Sequence, residues 1–338
     1  MADNTTTAAY NDPLKGTRYE GMIWANLLHL SFNMWNDRVT PERPQGSNHA
    51  ISHLRFDDRL WDDLLERMRG VGMNMVVLDL GDGVRYDSHP EIAVENAWSP
   101  ERLRSELAKL RQMGLEPIPK LNFSTAHDAW LKDYSRMVST PKYYEVCRDL
   151  IQECLALFDT PRFFHLGMDE ETAAHQRYYA YAVMRQYELW WHDLRFYTDI
   201  VEQGGSRPWV WSDYLWHHEE AFLENMPKSV LQSNWYYDAS FEIAREDDPN
   251  DAYKDALAPR AYVTLERHGY DQIPTGSNWS ADTNFGDTVE FGLKHIARER
   301  LLGFMTAPWR VTLEERRKLH EDAIDQVGAA VAKLAARG

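Results

Sequence analysis

The chain has 338 residues, 43% of them hydrophobic, enough to bury a sizeable core in one large domain. Its formal net charge is -16, from 37 basic and 53 acidic residues, which argues against nucleic acid or another phosphate-rich partner, because such partners need a concentrated positive surface. No run of eighteen uncharged apolar residues occurs, and residues 1–20 form a polar lead-in without the basic-then-apolar pattern of a leader, so a soluble cytoplasmic protein with no membrane partner is expected.

From residue 21 onward, apolar runs alternate with amphipathic stretches. Strands are predicted at 21–30, 73–80 and 115–121, with helices at 54–70 and 99–114 between them. The second helix carries its own punctuation: Ser99 as N-cap, Pro100 at the first position and Gly114 past the end. Strands joined through a helix must run parallel.

The alternation continues with helix 142–158, strand 162–168, helix 174–203, strand 208–212, helix 218–225 and strand 229–237. Helix 250–257, strand 261–266, a long loop at 269–285, helix 286–299, strand 302–309 and helix 312–335 complete it. The two cysteines, Cys147 and Cys154, share the 142–158 helix about 10 Å apart along its axis, beyond the ~7 Å reach of a disulfide. Eight strand–helix pairs, with no Gly-rich dinucleotide loop and no linker, point to a closed (β/α)8 TIM barrel forming a single domain over 21–338.

A barrel of this kind places its active site at the carboxyl ends of the strands. The first three strands are followed by Asn33, Trp35 and Asn36, by Asp79, Asp82 and Arg85, and by Lys120, Asn122 and His127. Strands five and six deliver Trp211, Asp213, Tyr214 and Trp216, then Trp235, Tyr236, Tyr237 and Asp238. The last two supply Glu266 and Arg267, then Trp309 and Arg310, while the long loop carries Trp279. Aromatic faces stack on the C–H faces of a sugar and polar groups bond its hydroxyls, so a small carbohydrate or oligosaccharide is the expected partner. With 13 tryptophans in the chain, several must simply fill core.

The sharpest signal is His165-Leu166-Gly167-Met168-Asp169-Glu170 after strand four. Two adjacent carboxyls leaving a buried strand repel each other and lose solvation, which should raise one pKa and suit it to general-acid work. The structural alternative is that Asp169 caps the following helix and its acidic neighbours complement the dipole.

This segment resembles the H-x-G-G-D-E signature of the β-N-acetylhexosaminidases of glycoside hydrolase family 20, with Met168 in place of the second glycine. Ile118, Pro119 and His127 are similar to the family's strand-three pattern, Trp211 and Asp213 to its W-x-D, and Trp235, Tyr237 and Trp309 to its aromatic walls. The resemblance implies retaining, substrate-assisted cleavage of a terminal β-linked N-acetylhexosamine: Asp169 orients the 2-acetamido group as it attacks the anomeric carbon, and Glu170 protonates the departing oxygen. His165, Asp82, Asn122, His127, Trp211, Asp213, Trp235, Tyr237, Glu266, Trp279, Trp309 and Arg310 are the candidate substrate-binding residues.

The chain departs from the family pattern at Lys120, which replaces a glutamate, at Arg310, near which a hydroxyl-holding glutamate is expected, and in lacking a sugar-gripping arginine on strand one. Arg310 with Lys120 or Arg267 could therefore hold an acidic or sulfated sugar. Two rival readings are a retaining β-glycosidase with Glu170 as acid/base and Glu266 as nucleophile, and a carbohydrate-binding barrel without turnover. Neither a metal nor another cofactor is expected: strand one reads His29-Leu30-Ser31 rather than H-x-H, no H-E-x-x-H occurs, and the adjacent His217 and His218 point different ways.

Overall fold

The computed structural model describes residues 11–42, 48–239, 241 and 254–337. Its strands are β1 (Ile23–His29), β2 (Met75–Asp79), β3 (Glu116–Lys120), β4 (Phe163–His165), β5 (Arg207–Trp211), β6 (Leu231–Ser233), β7 (Thr275–Gly276) and β8 (Gly303–Thr306). All pairings are parallel, in the order β6-β5-β4-β3-β2-β1-β8-β7. The ring closes between β6 and β7, where Gln232 N donates to Asp271 O (3.1 Å) and Thr275 N to Asn234 O (2.9 Å). This is the expected (β/α)8 barrel.

The first outer helices follow from their sequences. In α1 (Asp58–Gly70) the Asp57 carboxylate accepts from Leu60 N, and Leu60, Trp61, Leu64, Leu65 and Met68 turn one apolar stripe to the sheet. Ser99 caps α2 (Pro100–Gln112), and Thr140 caps α3 (Pro141–Leu157). Both cysteines are free and buried in α3. The remaining helices are α4 (Glu188–Gln203), the short α5 (Tyr214–His217), α6 (Glu219–Asn225), α7 (Lys254–Arg267), α8 (Asn284–His295) and α9 (Arg317–Ala335). No helix among the described residues is long and apolar enough to cross a membrane.

Two expectations fail. Residues 261–266 belong to α7, and β7 lies inside the stretch read as loop. Tyr262, Val263 and Thr264 favour strand locally, but Ala258, Ala261, Tyr262 and Leu265 are all buried at helical spacing, and that period prevails. A two-residue strand, Thr275–Gly276, leaves no apolar run to detect. The 174–203 helix begins only at Glu188, so residues 171–187 cross the barrel mouth as irregular chain.

Inside the barrel, ladder register aligns His29, Asp79, Lys120 and His165 across four neighbouring strands. Lys120 Nζ lies 2.6 Å from Asp79 Oδ2, and His29 Nδ1 is 3.3 Å from the same oxygen. Burial opposes the Asp79 charge, but Lys120 and His29 outweigh it and hold the carboxyl at about 2. Lys120 is completely buried in this layer and cannot grip a ligand at the mouth.

Candidate active site

At the carboxyl end of the barrel lies a cavity of about 440 Å³ whose lining includes Asn122, His127, Asp169, Glu170, Trp235, Tyr237, Trp279 and Trp309. These are eight of the residues singled out from sequence. Trp35, His175, Arg177, Tyr178 and Asp238 line it with them.

The two carboxyls are presented by an unusual turn. Gly167, Met168 and Glu170 all have positive φ, at 73°, 74° and 55°, a region that costs a non-glycine residue about 1–3 kcal/mol unless its surroundings enforce it. Here they do. Asn122 Nδ2 donates to Asp169 Oδ1 at 2.8 Å while its Oδ1 accepts from Met168 N at 3.2 Å. The amide N–H of Glu170 donates to Asp213 Oδ2 at 2.9 Å. Behind them, the buried Arg185 guanidinium pairs with Glu171 (2.6 Å) and Asp193 (3.2 Å).

His127 joins the pair. Its Nε2 is 3.3 Å from Asp169 Oδ2 and 3.4 Å from Glu170 Oε2. Burial disfavours the imidazolium, but the two carboxylates prevail and lift His127 to about 10. On the outer side, His175 Nε2 lies 3.3 Å from Glu170 Oε1, with its Nδ1 2.8 Å from the Thr172 hydroxyl. Burial alone would push the Glu170 carboxyl up, yet the two histidines hold it well below the usual range. The carboxyl raised instead is Asp213, to about 7, chiefly by burial and then by the Asp169 charge. The expectation that the adjacent pair would supply a raised acid therefore fails at Glu170, because the two histidines outweigh burial there, and the raised carboxyl belongs to a different residue one strand away.

Aromatic side chains form the walls. Trp309 Nε1 donates to the Tyr237 hydroxyl (2.9 Å), leaving the phenol proton for a ligand acceptor, and Trp235 stacks on Tyr237 with centroids 5.1 Å apart. Trp211 and His165 lie beneath as buried supports: their ring centroids are 4.5 Å apart, and Trp211 is 5.8 Å from Trp309.

Asp213, Asp82, Arg310 and Glu266 do not line the cavity. Asp213 supports Glu170 from behind. Asp82 is buried against Ser31 and Asn33, where burial raises it to about 6. Arg310 packs on the Trp279 ring, 4.1 Å from its centroid. Glu266 sits in α7, paired with Arg300, so it cannot serve as a nucleophile beside Glu170. Arg267, in the last turn of α7, is likewise not part of the cavity lining.

His127 Nε2 and carboxylate oxygens of Asp169 and Glu170 lie within 4.8 Å of one another, a donor set that a metal could use. However, His127 Nδ1 is buried without a hydrogen-bond partner, whereas a metal-bound histidine normally fixes its tautomer through that second nitrogen. The set suits a proton-sharing group better than a resident ion.

The fold and the site together define a (β/α)8 barrel with an Asp–Glu pair at the end of its fourth strand. No protein-family model and no curated protein sequence matches the chain. Among solved structures it is similar to the GH20 exo-β-N-acetylglucosaminidase of Vibrio harveyi in complex with N-acetylglucosamine, with TM-score 0.58 and 15% identity over 93% of this chain and 57% of that one. The GH20 β-N-acetylhexosaminidase of Streptomyces coelicolor A3(2) gives 0.60 and 13% over 92% and 64%, and a β-N-acetylhexosaminidase of Bacteroides fragilis 0.57 and 13% over 90% and 65%. The chain thus spans 57–65% of the length of these structures. At such identities the likeness establishes the fold, which is the one the strand-four signature implied.

Proposed function

We propose that this protein is a retaining glycoside hydrolase that removes a terminal β-linked N-acetylhexosamine by substrate-assisted catalysis. The observation that carries the reading is the joint hold of His127 on Asp169 and Glu170 at the floor of an aromatic-walled cavity.

In this mechanism the acetamido carbonyl oxygen attacks the anomeric carbon as the glycosidic C–O bond breaks. The bonding electrons pass to the departing oxygen, which takes a proton from Glu170. Asp169, oriented by Asn122, accepts the acetamido N–H and stabilises the positive charge that develops there. Water then attacks the anomeric carbon, surrenders a proton to Glu170, and releases the acetamido oxygen.

The free site holds Glu170 as an anion beside a charged His127, so the acid's proton already rests on its neighbour. A sugar covering the floor removes water from that ion pair. Desolvation favours its neutral form, in which His127 has passed the proton to Glu170.

The test is hydrolysis of aryl β-N-acetylglucosaminide and β-N-acetylgalactosaminide beside the plain glucoside and galactoside, by wild type, Asp169→Asn and Glu170→Gln. Turnover restricted to the acetamido sugars and reduced at least a hundredfold in both variants supports the reading. Turnover of the plain glycosides refutes substrate assistance, and binding of N-acetylglucosamine without turnover of any substrate marks a sugar-binding barrel.

A further inference from the structure

We infer that the barrel carries an anion-binding subsite for the leaving part of the substrate, built on Arg177 with Arg38 and His175. It takes a sugar bearing a carboxylate or sulfate. The inference rests on the proposed roles of Asp169 and Glu170, which fix the direction of the bound chain.

That direction comes from the geometry of Glu170. Its Oε2 faces His127, which also touches Asp169, while its Oε1 faces His175. The sugar whose acetamido group meets Asp169 therefore lies on the His127 side. The group that departs with the protonated oxygen lies toward His175 and the chain behind it. That wall of the cavity is made by Ala174, His175, Arg177 and Tyr178.

The wall is cationic in a chain of net charge -16. The Arg177 guanidinium lies 4.8 Å from the Tyr178 ring centroid, and Arg38 Nε donates to Tyr178 O at 3.3 Å. Neither arginine forms an ion pair with a described residue. By contrast, neighbouring Arg136 is paired with Asp37 at 2.8 Å, and Asp37 also accepts from Ala180 N. The Asp37 carboxylate is thus already engaged, while Arg177 and the partly exposed His175 line the cavity and Arg38 is held beside them through Tyr178 O. Arginine forks match carboxylate and sulfate oxygens, and Tyr178 offers a ring on which a sugar can rest.

The arrangement replaces the cations that the sequence suggested for an acidic ligand. Lys120 is sealed inside the barrel, Arg267 belongs to α7, and Arg310 is packed under Trp279.

The experiment uses three disaccharides with the same β-linked N-acetylglucosamine: one on a hexuronic acid, one on the neutral hexose of the same configuration, and one on that hexose carrying a sulfate ester. Binding is read by intrinsic tryptophan fluorescence of the acid-silent Glu170→Gln variant, and turnover as kcat/KM of the wild type. At least one anionic compound should bind about tenfold more tightly than the neutral one, the contribution of one charge-assisted hydrogen bond, and the preference should shrink with added salt. Arg177→Ala should bring the compounds to within about twofold of each other, and Arg177→Glu should reverse the order. The arm that responds distinguishes carboxylate from sulfate.

Equal affinity of wild-type Arg177 protein for all three, or a preference that survives in Arg177→Glu, overturns the subsite. Because the fluorescence readout needs no turnover, a charge preference without hydrolysis would sink the proposed activity and leave the subsite standing.

Discussion

Glu170 donates its backbone N–H to Asp213 Oδ2 at 2.9 Å, so the end of the fifth strand holds the turn that presents the acid of the fourth. Asp213 also accepts from Trp235 Nε1 at 3.3 Å and thereby ties an aromatic wall to the same anchor. Removing the anchor in Asp213→Ala frees a left-handed turn that has no intrinsic reason to persist. A misplacement of about 1 Å at the reacting group lowers kcat roughly a hundredfold, with KM changing less, and steady-state kinetics on an aryl glycoside will show that split.

The same carboxyl makes a pH prediction. Its folded value of about 7 lies above its ordinary 3.8, so its stabilising contribution is complete below the lower value and gone once pH has risen through the higher. Asp213→Asn cannot ionise. The melting temperature of wild type relative to this variant should therefore fall between about pH 4 and pH 7 and level off above that. A constant difference across that range would mean that Asp213 is ionised throughout.

Gly167→Ala tests the turn from its other end. With φ at +73°, an added Cβ would stand 1.9 Å from Asn122 Oδ1 and 2.8 Å from Asn122 Cα. The side chain of Asn122 must move, and with it the hydrogen bond that orients Asp169. Stability should drop by about 1–3 kcal/mol, and activity should drop at least as far as in Asn122→Ala. A fully active Gly167→Ala enzyme would show that Asn122 does not orient Asp169.

The barrel was legible because seven of its strands keep apolar runs that alternate with capped, amphipathic helices. The seventh was hidden: Thr275–Gly276 offers no pattern, while Tyr262 to Thr264 mimic a strand within a helix whose period is visible only when Ala258 and Leu265 are included. In the site, Asp169, Glu170, His127 and the tryptophans could be found because strand ends are fixed by periodicity. The roles of His165 and Trp211 as supports, and of Asp213 as an anchor, depend on which way a side chain points after its strand ends. His175, Arg177 and Tyr178 were missed because residues 174–187 were read as the start of a helix. The apolar period that defines α4 begins only at Trp190, Trp191, Leu194 and Tyr197.

Arg185 lies in that same irregular stretch and binds it to the site through Glu171 and Asp193. Arg185→Leu leaves two buried carboxylates without their cation, a loss of about 3–5 kcal/mol by chemical denaturation. The double variant Arg185→Leu/Glu171→Leu should recover part of it, since one stranded charge is removed as well. No recovery would mean that the guanidinium acts mainly through its bond to Phe123 O.

His127 decides whether the carboxyl pair works as a proton-sharing unit. Its value of about 10 lies above the ordinary 6.5, so its stabilising contribution is full below 6.5 and lost as pH rises through about 10. The stability gap between wild type and His127→Asn should therefore be widest near pH 6 and should shrink toward pH 10. NMR titration, with the ring assigned by its absence in the variant, should show an imidazolium still present at pH 8.5. Without that cation the proton that Glu170 must deliver is no longer held on its neighbour up to about pH 10, so the alkaline limb of the pH–rate profile should move downward in the variant. A ring that deprotonates near 6.5 would make His127 a neutral hydrogen-bond donor and would leave Glu170 without the proton source that the mechanism assigns to it.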